Sequence, residues 1–186
     1  MWTGSFRVLQ TAAAAAVLAW ALASCASPAA QQVSADGGGA QPAVAWWYDL
    51  ELDPVDGEVR GIPVGEFDPG WAAASGLGEE ELALHVAPAG LAALRDAGLY
   101  FVTSQDLDLD GVVEDVFVGT YEAQDGGRGR FLAISRGGRL LRHFVQSGSA
   151  GFSALLPVQG GVRWYKCLEC GEYELLRWTG GSYVLE

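Results

Sequence analysis

Ten residues, "DLDLDGVVED" at 106–115, carry five carboxylates. Asp106, Asp108 and Asp110 alternate strictly, Gly111 follows, and Glu114 and Asp115 close the stretch. Like charges at that spacing repel unless something neutralises them. In a tight loop, residues at the first, third and fifth positions turn toward a common centre, while Leu107 and Leu109 turn away. Gly111 at the sixth position permits the sharp bend, and the carbonyl of Val112 at the seventh faces inward again. A final carboxylate, from Glu114 or Asp115, completes an all-oxygen set. Six or more hard oxygens in a flexible arrangement suit Ca²⁺, whereas the smaller, stricter octahedron of Mg²⁺ fits less well. The chemistry expected here is coordination of a structural calcium ion. A reaction at the ion requires an open position for substrate, and no sequence feature supplies one. The competing reading is an edge strand with a solvated acidic face and with Leu107 and Leu109 turned to the core.

An EF-hand does not account for the stretch. Its twelfth position, which should be a bidentate Glu, is Phe117, and the following "VFVGTYE" reads as a strand where an EF-hand has a helix. The order strand, acidic loop, strand resembles the calcium loops of FG-GAP and VCBS repeats, which occur in integrin-type propellers and bacterial surface proteins. The resemblance implies ligand roles for Asp106, Asp108, Asp110, Val112 and Glu114, with Gly119 ending the strand that follows. There are two departures. Leu109 stands where such loops often have a small residue or glycine. The strand glycine is displaced by one residue, which leaves Glu114 and Asp115 as rivals. The resemblance covers roughly twenty residues in a single copy.

"KCLECGEYELLRW" adds Cys167 and Cys170. In an exported protein the first reading is a local disulfide across a turn. One knuckle of a zinc ribbon is the second, which would need His85 and His143 to complete a Zn²⁺ site. A thioredoxin-like redox pair is the third; such a pair opens a helix, whereas strand and turn follow here, and Glu169 and Glu172 disfavour a thiolate. Gly171, rather than His, follows the second cysteine, so a covalent haem is excluded. Each histidine taken alone reads as a packed or half-exposed side chain.

Other enzyme signatures are lacking. The serines of "QSGSAGFSALL" do not form a nucleophile elbow, because Leu155 occupies the place of its last glycine. Acids are too abundant for a glycosidase pair to stand out, and no phosphate-cradling loop precedes a helix.

The chain as a whole has 186 residues, half of them hydrophobic, and a formal charge of −12. That balance, with cations few and scattered, argues against a nucleic-acid partner. The first 24 residues, with Arg7 followed by an uncharged apolar run, read as an export signal. Leu22, Ala23, Ser24 and Cys25 resemble the lipobox of bacterial lipoproteins, which implies cleavage before Cys25 and lipidation of that residue. Arg7 is the sole charge lost, so ten cations would remain against 23 acids. Ala26 follows the cysteine; an Asp there would resemble the inner-membrane retention signal, so anchoring in the outer membrane is expected. Residues 26–43, rich in Ala, Gly, Ser, Pro and Gln, form a tether.

A single folded domain is expected over 44–186, of α+β class. Trp46 and Trp47 open it, placed on opposite faces of a strand and packed in the core. Asp68, Pro69 and Gly76 punctuate a short helix over "DPGWAAASG"; "EEELALHV" and "PAGLAALRDAG" supply further helices. From Leu99 onward, eight short β-branched and aromatic runs are separated by "QDGGRG", "SRGGR", "QGG" and "TGG", the punctuation of an antiparallel meander. The function expected is a lipid-anchored, calcium-stabilised binding or scaffolding module of the cell envelope. The alternative is a periplasmic enzyme, either a hydrolase using the acidic cluster or a thiol oxidoreductase using Cys167 and Cys170.

Overall fold

A computed structural model of the chain describes residues 45–186. The expected export segment and tether, with Cys25 and Val44, lie outside them. Alternating apolar runs and glycine turns give a mainly antiparallel β architecture with a few short helices in its first half. The elements in chain order are α1 (Trp46–Asp49), β1 (Glu58–Val59), β2 (Ile62–Pro63), α2 (Val64–Phe67), β3 (Trp71–Gly76), α3 (Glu79–Leu82), α4 (Pro88–Asp96) and β4 (Val102–Gln105). They continue with β5 (Glu114–Ala123), β6 (Arg128–Arg136), β7 (Arg139–Ser147), β8 (Ala154–Val158), β9 (Gly161–Tyr165), β10 (Tyr173–Trp178) and β11 (Tyr183–Leu185).

All eight late runs form strands, but the meander divides into two sheets. β5, β6 and β7 pair in succession, and β8 to β11 form a second sheet in sequence order. One edge of the ten-residue β5 is shared end to end: β4 pairs with Glu114 to Phe117 and β3 with Gly119 to Ala123. The sheets are joined by a backbone bridge in which the amides of Tyr100 and Leu155 each bond the other's carbonyl, at 2.8 and 2.6 Å. The β6–β7 connection is Gly137–Gly138, both at positive φ (58° and 78°), which is the backbone a two-residue hairpin turn with right-handed strand twist requires.

Because successive strand residues face opposite ways, β5 and β6 supply two cores. Val116, Val118, Leu132 and Ile134 pack with Leu94 of α4 and with Leu155, Val162, Trp164 and Leu176 of the second sheet. On the other face Phe117, Tyr121, Phe131 and Ala133 pack under β1, β2, α2 and Trp71. There the register sets small against large: Gly119 opposes Phe131, and Gly129 opposes Tyr121.

Three expectations are corrected. Trp46 and Trp47 lie in a single helical turn rather than a strand; Trp47 is buried, and Trp46 meets Phe152 edge-on at 5.3 Å. "DPGWAAASG" is a turn and a strand, not a helix. Asp68 Oδ1 accepts the Gly70 amide at 2.7 Å, so its side chain caps a turn, and Trp71–Gly76 then pairs with β5. The small side chains suit close approach to β5, and sheet pairing overrides the helix preference of alanine. Gly119 does not end its strand, which runs on to Ala123. The other two helices stand where the punctuation puts them, with Pro88 at the start of α4 and Gly98, at φ 67°, after it.

Candidate metal centre

The acidic loop connects β4 to β5 and lies over one end of the main core. Leu107 is buried and anchors it there, whereas Leu109 points outward, 85% exposed. The pattern of alternating acids thus splits its two leucines between core and solvent. Leu109 has φ 61°, the left-handed region, which gives a physical reason why a small residue or glycine suits that place.

The loop's own amides organise its carboxylates. Asp106 accepts from the amides of Asp110 (3.1 Å) and Gly111 (2.9 Å), Asp108 from Asp110 (3.2 Å), and Asp110 from Val112 (2.8 Å). Glu114 is fully buried and accepts the Leu107 amide at 2.8 Å. One carboxylate oxygen from each of Asp106, Asp108 and Glu114 lies within 4.8 Å of the other two. Among the described residues, this is the sole set of three acidic, Cys or His side chains whose ligand atoms converge. Hard, anionic oxygens alone form the set, which is the donor chemistry of Ca²⁺.

Strand alternation separates the two rivals. Glu114 shares the main-core face of β5 with Val116, whereas Asp115 shares the opposite face with Phe117. There Asp115 accepts from Ser104 Oγ at 2.6 Å and stands 3.8 Å from Arg60. Asp115 is therefore not part of the converging set. Asp110 sits at its rim, and Val112 is exposed and enters the loop's bonding through its amide.

A residue not singled out from the sequence stands inside the cluster. The Arg136 guanidinium, at the end of β6, donates through Nη1 to Asp110 at 2.8 Å and through Nη2 to Asp108 at 2.9 Å and to Glu114. These contacts, led by Glu114, push its pKa up. The Val112 amide, with Arg136 second, holds the Asp110 carboxyl below the usual carboxylate range. Tyr183, reaching in from β11, is 8% exposed, and burial beside Glu114 and Asp108 pushes its hydroxyl up to about 12. The centre therefore spans both sheets. The sequence signal for Arg136 was the register itself. With the "QDGGRG" hairpin aligned as Glu122 opposite Arg128, counting back brings Ser135 against Asp115 and Arg136 beside Glu114.

Cys167 and Cys170 stand at disulfide distance, with Cα atoms 5.8 Å apart, in the loop between β9 and β10. Cys167 is buried in the main core and Cys170 is exposed. They border a cavity of about 890 Å³ with Tyr48, Arg130 and Lys166. Burial, then the like charge of Arg130, brings the Lys166 ammonium down to about 8 despite its ion pair with Glu174. Burial likewise lowers Arg130, which donates to the carbonyls of Phe152 (2.6 Å) and Lys166 (3.1 Å). His143 lies across the five-stranded sheet from Cys167, edge-on to Phe67 and Trp71 at 6.0 and 5.8 Å, and His85 is exposed.

No family model, curated protein or solved structure matches the chain.

Proposed function

We propose that the chain is a lipid-anchored envelope protein whose domain is braced by a structural calcium ion at the 106–114 loop, and that it serves as a binding or scaffolding module. The observation that carries the calcium reading is the convergence of Asp106, Asp108 and Glu114 within 4.8 Å at the seam between the two sheets. With Asp110 at the rim, four carboxylates gather there and three of them, Asp108, Asp110 and Glu114, meet one guanidinium, so net negative charge remains for a divalent cation to offset. Asp110 and Val112 complete the set the resemblance suggests, and Asp115, turned toward Ser104 and Arg60, stays outside it. Affinity in extracellular modules is weak, on the order of 10⁻⁴ to 10⁻³ M, and the role is bracing rather than sensing. Anchoring rests on Cys25 and its lipobox. No helix among the described residues is long and apolar enough to cross a membrane, which leaves that proposal to be tested on its own.

The test is calorimetric melting of the full chain in detergent. Chelator lowers the transition temperature, Ca²⁺ restores it, and Asp108→Ala removes the response. A melt indifferent to calcium refutes the reading. Incorporation of labelled palmitate, lost in Cys25→Ser, tests the anchor separately.

A further inference from the structure

Four carboxylates with a single resident cation leave two loose ends. The Nε of Arg136 is buried with no hydrogen-bond partner, and the hydroxyl of Tyr183, although it stands beside Arg136, makes no bond of good geometry. Both residues border one cavity of about 400 Å³, together with Asp108, Arg142, Trp178 and Ser182. A buried polar group without a partner is unfavourable, so a nearly enclosed tyrosine hydroxyl facing this cluster marks a place where a further ligand or a moved side chain belongs. The guanidinium and the converging oxygens also compete. Nη2 of Arg136 holds Asp108 and Glu114, which are two of the three residues that would hold a cation, whereas Nη1 holds Asp110, which lies outside that triad.

Resting on the calcium reading above, we propose that Arg136 is a built-in competitor for the metal centre: Ca²⁺ and the Arg136 guanidinium alternate on Asp108 and Glu114, and on metal binding the arginine swings about its Asp110 pair into the cavity beside Tyr183. Two positive groups cannot share those two carboxylates at contact distance without strong repulsion. The Asp110 contact keeps the displaced arm near, and the Tyr183 hydroxyl supplies the acceptor that Nε lacks. Arg136 thus stabilises the loop without metal and raises the calcium concentration needed to fill it. A centre whose competent form is only partly populated binds with correspondingly reduced apparent affinity.

The experiment is calorimetric Ca²⁺ titration of the full chain in detergent for the wild type, Arg136→Gln and Arg136→Lys. It is paired with the ¹⁵N resonance of the Arg136 Nε in the wild type, assigned by its loss in Arg136→Lys. Arg136→Gln is expected to bind Ca²⁺ about tenfold more tightly or better, with Arg136→Lys between, and the Nε resonance is expected to move on calcium saturation. Binding by Arg136→Gln alone overturns the alternation, because the wild type then holds no calcium. Equal or weaker binding by Arg136→Gln, or an Nε resonance unmoved at saturation, overturns the competitor and leaves the calcium reading intact. Absence of binding in all three up to about 10 mM overturns both. Should Arg136→Gln not fold, the resonance of the wild type decides.

Discussion

Glu114 and Arg136 stand side by side on β5 and β6, one step beyond the Asp115–Ser135 pair, and meet as an ion pair beneath the acidic loop. The same carboxylate takes the Leu107 amide, so a single side chain ties strand to strand and strand to loop. Its neighbour Asp115 faces the other way and meets Arg60 with 41% of its side chain exposed. Glu114→Ala strands the buried Leu107 amide and costs about 1–3 kcal/mol. Asp115→Ala removes an exposed pair and costs no more than about 1 kcal/mol. Denaturant midpoints at unchanged m measure both, and equal losses would contradict the assignment of Glu114 over Asp115.

Leu109 holds a left-handed backbone while its side chain meets solvent. That conformation costs an L-residue roughly 1–2 kcal/mol, and glycine escapes it. Glycine's greater freedom in the unfolded chain opposes part of the gain, by about 0.5–1 kcal/mol. Leu109→Gly therefore raises stability modestly, while Leu109→Val, branched at Cβ, lowers it. Thermal melts of the two variants should move in opposite directions. A loss in Leu109→Gly would mean that the side chain, rather than the backbone, matters at this place.

Gly119 is required by close packing, not by turn geometry. A Cβ there would lie 2.4 Å from the carbonyl oxygen of Ser75 and 2.4 Å from Phe131 Cζ. The backbone atom cannot step aside without parting β3 from β5. Gly119→Ala is expected to cost about 2–3 kcal/mol, in the range of overpacked cores. Pairing it with Phe131→Leu should recover the ring's share and leave the share due to Ser75. Full recovery in the double variant would show that the ring alone sets the limit.

Much of the architecture was legible because strand alternation and glycine pairs are local signals. Runs such as "RFLAISR" and "LLRHFVQ" announce themselves, and Gly137 and Gly138 mark the turn between them. Pro88 and Gly98 bracket α4 for the same reason. The stretch 71–76 was not legible: "WAAASG" has no β-branched residue, and its strand state comes from β5, more than forty residues on. How the two sheets are joined was hidden likewise, since it depends on Tyr100 meeting Leu155. At the candidate centre the acids and their spacing were visible, but the choice of Glu114 over Asp115 needed the strand's exact start. Arg136 needed the hairpin register, which is a long-range property.

His143 offers the pH test. It sits on β7 against Phe67 and Trp71, and burial there lowers its pKa from 6.5. Asp68 opposes the shift and Arg142 adds to it, both more weakly than burial. The unfolded chain therefore takes up this proton at a higher pH than the folded one. Wherever the unfolded state binds more protons, stability falls as pH falls. The contribution of a neutral His143 is complete above the unfolded value near 6.5 and is lost as pH drops toward the folded value. His143→Phe keeps a ring between Phe67 and Trp71 and removes the titration. Melting the wild type and this variant from about pH 8 to pH 5 should give a difference that is flat at the alkaline end and grows, against the wild type, below about 6.5. A constant difference across the range would place His143 in solvent contact, with its aromatic neighbours apart.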